Sequence, residues 1–388
     1  MGNSLARAGV PVQQIATIGA ASLLPFSFEF LWAPIVDGCW TRKSWFTLGA
    51  AAMCLCLLAL LLAPWDSAAV PLMTLLAFLC CAGAAIAAVA IKGLMAYEVS
   101  ADGLPKATAY YTAGGAVAKS IAGAGTLWLL AHLAARPLVA VLNTGAAALA
   151  ATAILMASPG ESGAMRELPA KLVAALADLW GFLRTRNGMM IAVLCVVPFG
   201  AAGEAGLVGA IAREWAVGPN LLAAYGAVGV VASIAGAMAA GWIAMRVGPW
   251  KTYLLLGWIM IAVMPVLALS PRTPPFFLAV EFLYRAAAGG CYAALLGIIL
   301  AGIGKGAAST KAAAMWSLAV FASAYPELIE GAVHDQVSTQ AMLLSDAGLG
   351  IAGFSVLFIV SRCLGFSLTR VDTPATAGAA QRHNTSTT

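Results

Sequence analysis

Charge is what this sequence has least of. Of its 388 residues only 10% are Asp, Glu, Lys or Arg, and 62% are hydrophobic. A soluble globular domain is about a quarter charged, so a water-soluble fold is excluded. Histidine is scarce too. His132, His334 and His383 lie far apart, which leaves no metal cluster and no nucleophile–histidine–acid arrangement. Stretches of alternating polarity, the mark of a membrane barrel, are absent. GLGIAG (348–353) matches G-x-G-x-x-G, but no strand precedes it. GIGKGAAST (302–310) lacks the spacing of a phosphate loop, so ATP-driven pumping by this chain alone is excluded. We read no enzyme and no cofactor. The net charge of +5 comes from scattered basic residues, which argues against nucleic acid. The eight cysteines sit mostly inside apolar runs, where cysteine acts as a small packing residue. Cys54/Cys56 and Cys80/Cys81 lack the spacing of a zinc or redox pair. The first ten residues are polar or mixed, so no cleavable signal peptide is expected.

What the sequence has is long apolar runs, with a mean hydropathy of +0.92. Runs of about 20 residues cross the hydrocarbon as helices, and the wealth of Ala, Gly and Leu suits close helix packing. The pattern predicts an all-α membrane protein with eleven spans, near 12–36, 44–64, 69–97, 106–133, 136–157, 188–211, 219–245, 251–269, 275–302, 309–332 and 345–365. This divides the chain into a five-helix bundle (1–157), a linker (158–187), a six-helix bundle (188–366) and a disordered polar tail (367–388). In the linker Leu168, Leu172, Leu176, Leu179 and Leu183 recur at helical spacing. That predicts an amphipathic helix along the membrane surface or a solvated linker helix. With the turn at Asp37–Lys43 placed in the cytoplasm, fourteen Lys and Arg fall on the cytoplasmic side and four outside. That bias orients the chain, with its N-terminus outside and its C-terminus and linker inside.

Five helices, a long linker and six helices come close to the two six-helix halves of a major facilitator transporter. The stretch FEFLWAPIVDGCWTRKSW (Phe28–Trp45) joins two apolar helices through a polar turn. It resembles the end of the second helix in AmpG-like permeases of the major facilitator superfamily. The segments YRAAAGGCYAALLG (Tyr284–Gly297) and Gly302–Asp335 resemble later parts of that group. The opening LARAGVPVQQIATIGA resembles the segment after its first helix. A second basic turn, from Gly241 to Lys251, echoes the first. Aligned on it, the first half is one helix short, so the first family helix is expected to be missing. The resemblance implies a major facilitator fold, two bundles that work by alternating access, and a solute such as a muropeptide, a siderophore or an acetyl-coenzyme A ester. The sequence departs from the group at Glu29, often basic there, at Gly38, often Arg, and at Met245, typically Asp.

Charges inside membrane helices are expensive and usually functional. The candidates for substrate binding or proton coupling are Lys119, Glu204, Lys92, Glu29, Glu281, Arg285 and Glu327, with Glu330 beside the last. Lys119, in the small-residue run AGGAVAKSIAGAG, either faces a central cavity and an anionic group of the solute or pairs with Glu29 or another buried acid. Glu204 is the candidate proton carrier. Glu281 and Arg285 are spaced i, i+4 and either pair with each other or serve the path. Glu327 and Glu330 share a face just after a break expected at Pro326 and either gate the outside or line a solvated vestibule. Asp37, Arg42, Lys43, Arg246 and Lys251 are the candidate gating loops. The expected partners are a small-molecule substrate, the lipid bilayer and a proton gradient, with a monomeric chain. A non-transporting membrane sensor, or an inactive truncated permease, is the alternative.

Overall fold

The computed structural model describes residues 18, 21–22, 24–64, 66, 68–132, 136–156, 168–200, 211–304 and 306–366. Twelve helices are used below. They are α1 (Glu29–Gly38), α2 (Arg42–Leu62), α3 (Val70–Glu98), α4 (Leu104–His132), α5 (Arg136–Ala151), α6 (Leu168–Arg184), α7 (Arg186–Val196), α8 (Pro219–Val247), α9 (Pro249–Ala268), α10 (Pro274–Gly302), α11 (Ala308–Gln336) and α12 (Thr339–Cys363). Helices begin where the apolar runs meet start signals. Thr41, Thr185 and Ser338 cap α2, α7 and α12 with their side chains, and prolines open α3, α8, α9 and α10. Proline suits a first turn, whose N–H has no partner in the helix.

Eight of these helices are long and apolar enough to cross a membrane among the described residues. Their outward faces are apolar: Leu55, Leu149, Leu155 and Ile359 are mostly exposed in the protein alone. In water such faces would be a liability, and in lipid they are the natural contact surface. The fold is the major facilitator fold, built of two helical bundles.

Within the first half, α2 packs on α3 and α5; within the second, α10 packs on α8 and α9, and α12 on α9. Lipid supplies no hydrophobic force between helices, so close contact must come from small residues. Gly49 of α2 and Gly83 of α3 provide it. A Cβ at Gly49 would lie 2.6 Å from the Gly83 carbonyl oxygen, and one at Gly83 would lie 2.7 Å from that of Gly49. The halves meet along two seams. On one, α4 packs on α8 and α10; on the other, α11 packs on α1 and α3.

Three local expectations change. The span expected at 188–211 stops at Val196, because Val197 precedes Pro198 and takes extended backbone. Residues 201–210 lie outside the described residues. Pro326 does not break its helix, since α11 runs on to Gln336; inside a packed membrane bundle neighbouring groups compensate the lost hydrogen bond. The linker helix α6 does form, with Leu172, Leu179 and Leu183 of the expected face half-buried and Leu176 departing from it. Ala175 and Phe182 are buried, whereas Leu176 is exposed beside Val173 and Trp180.

Candidate functional site

The linker end of the seam between α1 and α11 is built around Asp37. This residue ends α1, and its Oδ1 accepts a hydrogen bond from Arg42 Nη2 at 3.0 Å. The same carboxylate reaches into the other half of the molecule. Oδ2 accepts from the Thr310 N–H at 2.7 Å and from Thr310 Oγ1 at 2.9 Å, and Oδ1 accepts from the Ser309 N–H at 3.3 Å. Ser309 and Thr310 belong to the first turn of α11. That helix has no side-chain cap of its own, since Ala307 stands at its N-cap. The first N–H groups of a helix lack internal partners and form its positive end. Asp37 therefore supplies, from the first half, the cap that the second half lacks.

The surroundings hold this latch in place. The Arg42 guanidinium lies 3.9 Å above the Tyr97 ring. Lys311, one residue past the cap, bridges Asp178 of the linker helix at 3.0 Å. Gly93 of α3 lets the three parts converge: a Cβ there would sit 2.2 Å from Ser309 Oγ and 2.9 Å from Arg42 Nε. A cleft of about 250 Å³ opens beside the latch, lined by Asp37, Arg42, Tyr97, Lys171 and Asp178 among others.

Deeper along the same seam, Lys92 of α3 donates to Glu29 Oε2 of α1, and both side chains are 1% exposed. Trp316 of α11 closes over the pair, with its ring centroid 5.1 Å from Lys92 Nζ. Two charges out of water are tolerated only when paired and well contacted. This pair sits where the two halves touch, so its environment changes whenever they separate.

The remaining candidates are placed differently. Lys119 lies on α4, and its side chain is outside the described residues, as is the whole of Glu204. Glu281 is fully buried, with Arg285 Nε 4.0 Å from its Oε2, and Arg285 is half-buried. Glu327 is exposed and Glu330 is buried. Lys43 donates to the Leu155 carbonyl at 3.1 Å. Arg246 is exposed over the Trp242 ring, and Lys251 is exposed. The structure thus brings together Asp37 with Arg42, and Glu29 with Lys92. It adds Ser309, Thr310, Lys311, Asp178 and Trp316, which sequence reasoning missed. A helix start at Ala308 without its own cap was the available signal.

No protein-family model matches the chain, and no curated protein is similar to it in sequence. Solved structures do share its fold. The crystal structure of the human organic anion transporter MFSD10 (TETRAN) matches at a TM-score of 0.67 and 17% identity, over 92% of this chain and 88% of that one. A variant of the E. coli fucose:proton symporter FucP matches at 0.69 and 15%, over 93% and 92%. A bacterial homologue of the iron transporter ferroportin in the outward-facing state matches at 0.62 and 14%, over 92% and 91%.

Proposed function

We propose that this chain is a secondary active transporter of a bacterial inner membrane, which imports a small anionic or amphipathic solute of muropeptide or siderophore type by alternating access. A proton gradient drives it. The observation that carries this reading is the buried Lys92–Glu29 pair under Trp316, at the seam between the two halves. An anionic group of the solute, on reaching this seam, competes with Glu29 for the Lys92 ammonium. That exchange requires Trp316 to move, which ties binding to the parting of the halves. Ligand sites at the interface of two rocking bundles follow the same logic. Lys119 of α4 is the second cation proposed to face the path, and Glu204 is a further proposed carrier.

The latch at Asp37 is the proposed gate on the linker side, which the excess of basic residues there places in the cytoplasm. The transporters whose fold the chain shares support this reading, whereas the departures from AmpG-like permeases at Glu29, Gly38 and Met245 argue against carrying over the muropeptide assignment directly and leave the choice among acidic solutes to assay. The test is uptake of labelled muropeptides, siderophores and acetyl-coenzyme A into proteoliposomes, with and without an inward proton gradient. One of these is expected to accumulate only with the gradient, and Lys92→Ala to abolish the accumulation. Uptake no greater than in protein-free liposomes, or full uptake by the Lys92→Ala variant, would refute the proposal.

A further inference from the structure

At the end of α11 away from the latch, Glu330 is fully buried. Both of its carboxyl oxygens are shielded, and among the described residues no donor group reaches either of them. The helix α12 packs on α11 and brings another carboxyl, that of Asp346, close to that of Glu330. Two ionised carboxylates have acceptors only, so they cannot bond to each other. Placed together out of water, such a pair holds one proton between its members. The missing partner of Glu330 is therefore a proton.

The charged groups nearby fit this assignment. Glu327 lies one turn earlier on α11, close to Glu330, and is exposed, so it links the buried Glu330 and the half-buried Asp346 to solution. His334 lies one turn later on the same helix. From α10, Glu281 faces Asp346, with Arg285 4.0 Å from Glu281. The other helices packed against α11 present charges to its linker half, Glu29 and Asp37 from α1, Lys92 from α3 and Asp178 from α6, while α7 carries Arg186 at its start.

We propose that Glu330 and Asp346 form a shared-proton site, loaded through Glu327, that carries the coupling ion of the transport cycle. The coupling role rests on the proton-driven reading above; the shared proton does not. Each cycle binds one proton to the doubly ionised pair and releases one, so the site alternates between net charges of −1 and −2. Because α11 also bears the latched N-terminus and Trp316, a change of charge at Glu330 acts on the helix that ties the halves together.

Infrared difference spectroscopy of the full chain in liposomes tests the site without any solute. The wild type is expected to show the carbonyl stretch of a protonated carboxyl at neutral pH, shifted in heavy water and lost on alkaline titration. Glu330→Gln and Asp346→Asn, on different helices, should each remove it, since either amide can donate to the remaining carboxylate and stand in for the proton. Glu214→Gln, an exposed acid elsewhere, should leave it intact. A wild type without the band, a band that survives in both variants, or a band abolished by sodium chloride at fixed pH would each overturn the proposal. If the band behaves as expected while no labelled solute ever enters, the transporter reading fails and the proton site stands. If uptake is gradient-driven and both variants remain driven, the coupling role is overturned.

Discussion

The Lys92–Glu29 pair separates structure from function within a single cluster. Each ion costs several kcal/mol to bring out of water, and the pairing recovers most of it. Removing one partner leaves the other charged and uncompensated, at a cost of about 3–5 kcal/mol. Replacing both by apolar residues of similar volume is close to neutral. Lys92→Met and Glu29→Gln, made singly, should therefore lower the melting temperature in detergent, and the double variant Lys92→Met/Glu29→Leu should restore it. Uptake should behave otherwise. The double variant, stable but without its cation, is expected to accumulate no solute. If stability and uptake recovered together, Lys92 would be a structural residue and the solute site would lie elsewhere.

At the scale of the element, α11 is held by a partner 272 positions away in sequence, since Asp37 caps it across the seam. Asp37→Asn removes the charge from that cap and the ion pair with Arg42; Gly93→Val drives a branched side chain against Ser309 and Arg42. Both variants should open the linker end. Spin labels at Glu98→Cys on α3 and Arg362→Cys on α12, both exposed, should move apart in either variant of a cysteine-free chain. An unchanged distance distribution would show that the latch does not hold this end shut. The helices themselves were legible, because their apolar runs, prolines and caps are local signals: the spans expected at 44–64, 69–97 and 275–302 lie within three residues of α2, α3 and α10. Phases were not legible. When almost every position is apolar, no polar face marks the orientation of a helix. That is why Glu29 was given Lys119 as a possible partner and meets Lys92 instead, and why Leu176 was assigned to the face of α6 that Ala175 and Phe182 occupy. Asp346, a lone acid early in its helix, had no sequence neighbour to announce its pairing with Glu330.

For the whole molecule, three ties between the first half or the linker and the second half converge on one helix. Asp37 caps α11, Asp178 binds Lys311 in its first turn, and Lys92 lies under its Trp316. In the proposed cycle, rocking that exposes the seam to the linker side would have to release all three, so each tie would add to the barrier in one direction. This makes the closed linker end trappable. A Cβ at Gly306, just before α11, would lie 2.8 Å from Asp178 Oδ2, which puts the linker helix and the approach to α11 within cross-linking range. In a cysteine-free background, Asp178→Cys/Gly306→Cys should close on oxidation and stop gradient-driven uptake in proteoliposomes, and a reductant should restore it. Either single cysteine should transport under both conditions, at a rate reduced by the lost Asp178–Lys311 bridge in the case of Asp178→Cys. Transport that continued at full rate through a quantitatively formed cross-link would mean that α6 travels with α11, and that the halves part between α6 and α1 instead.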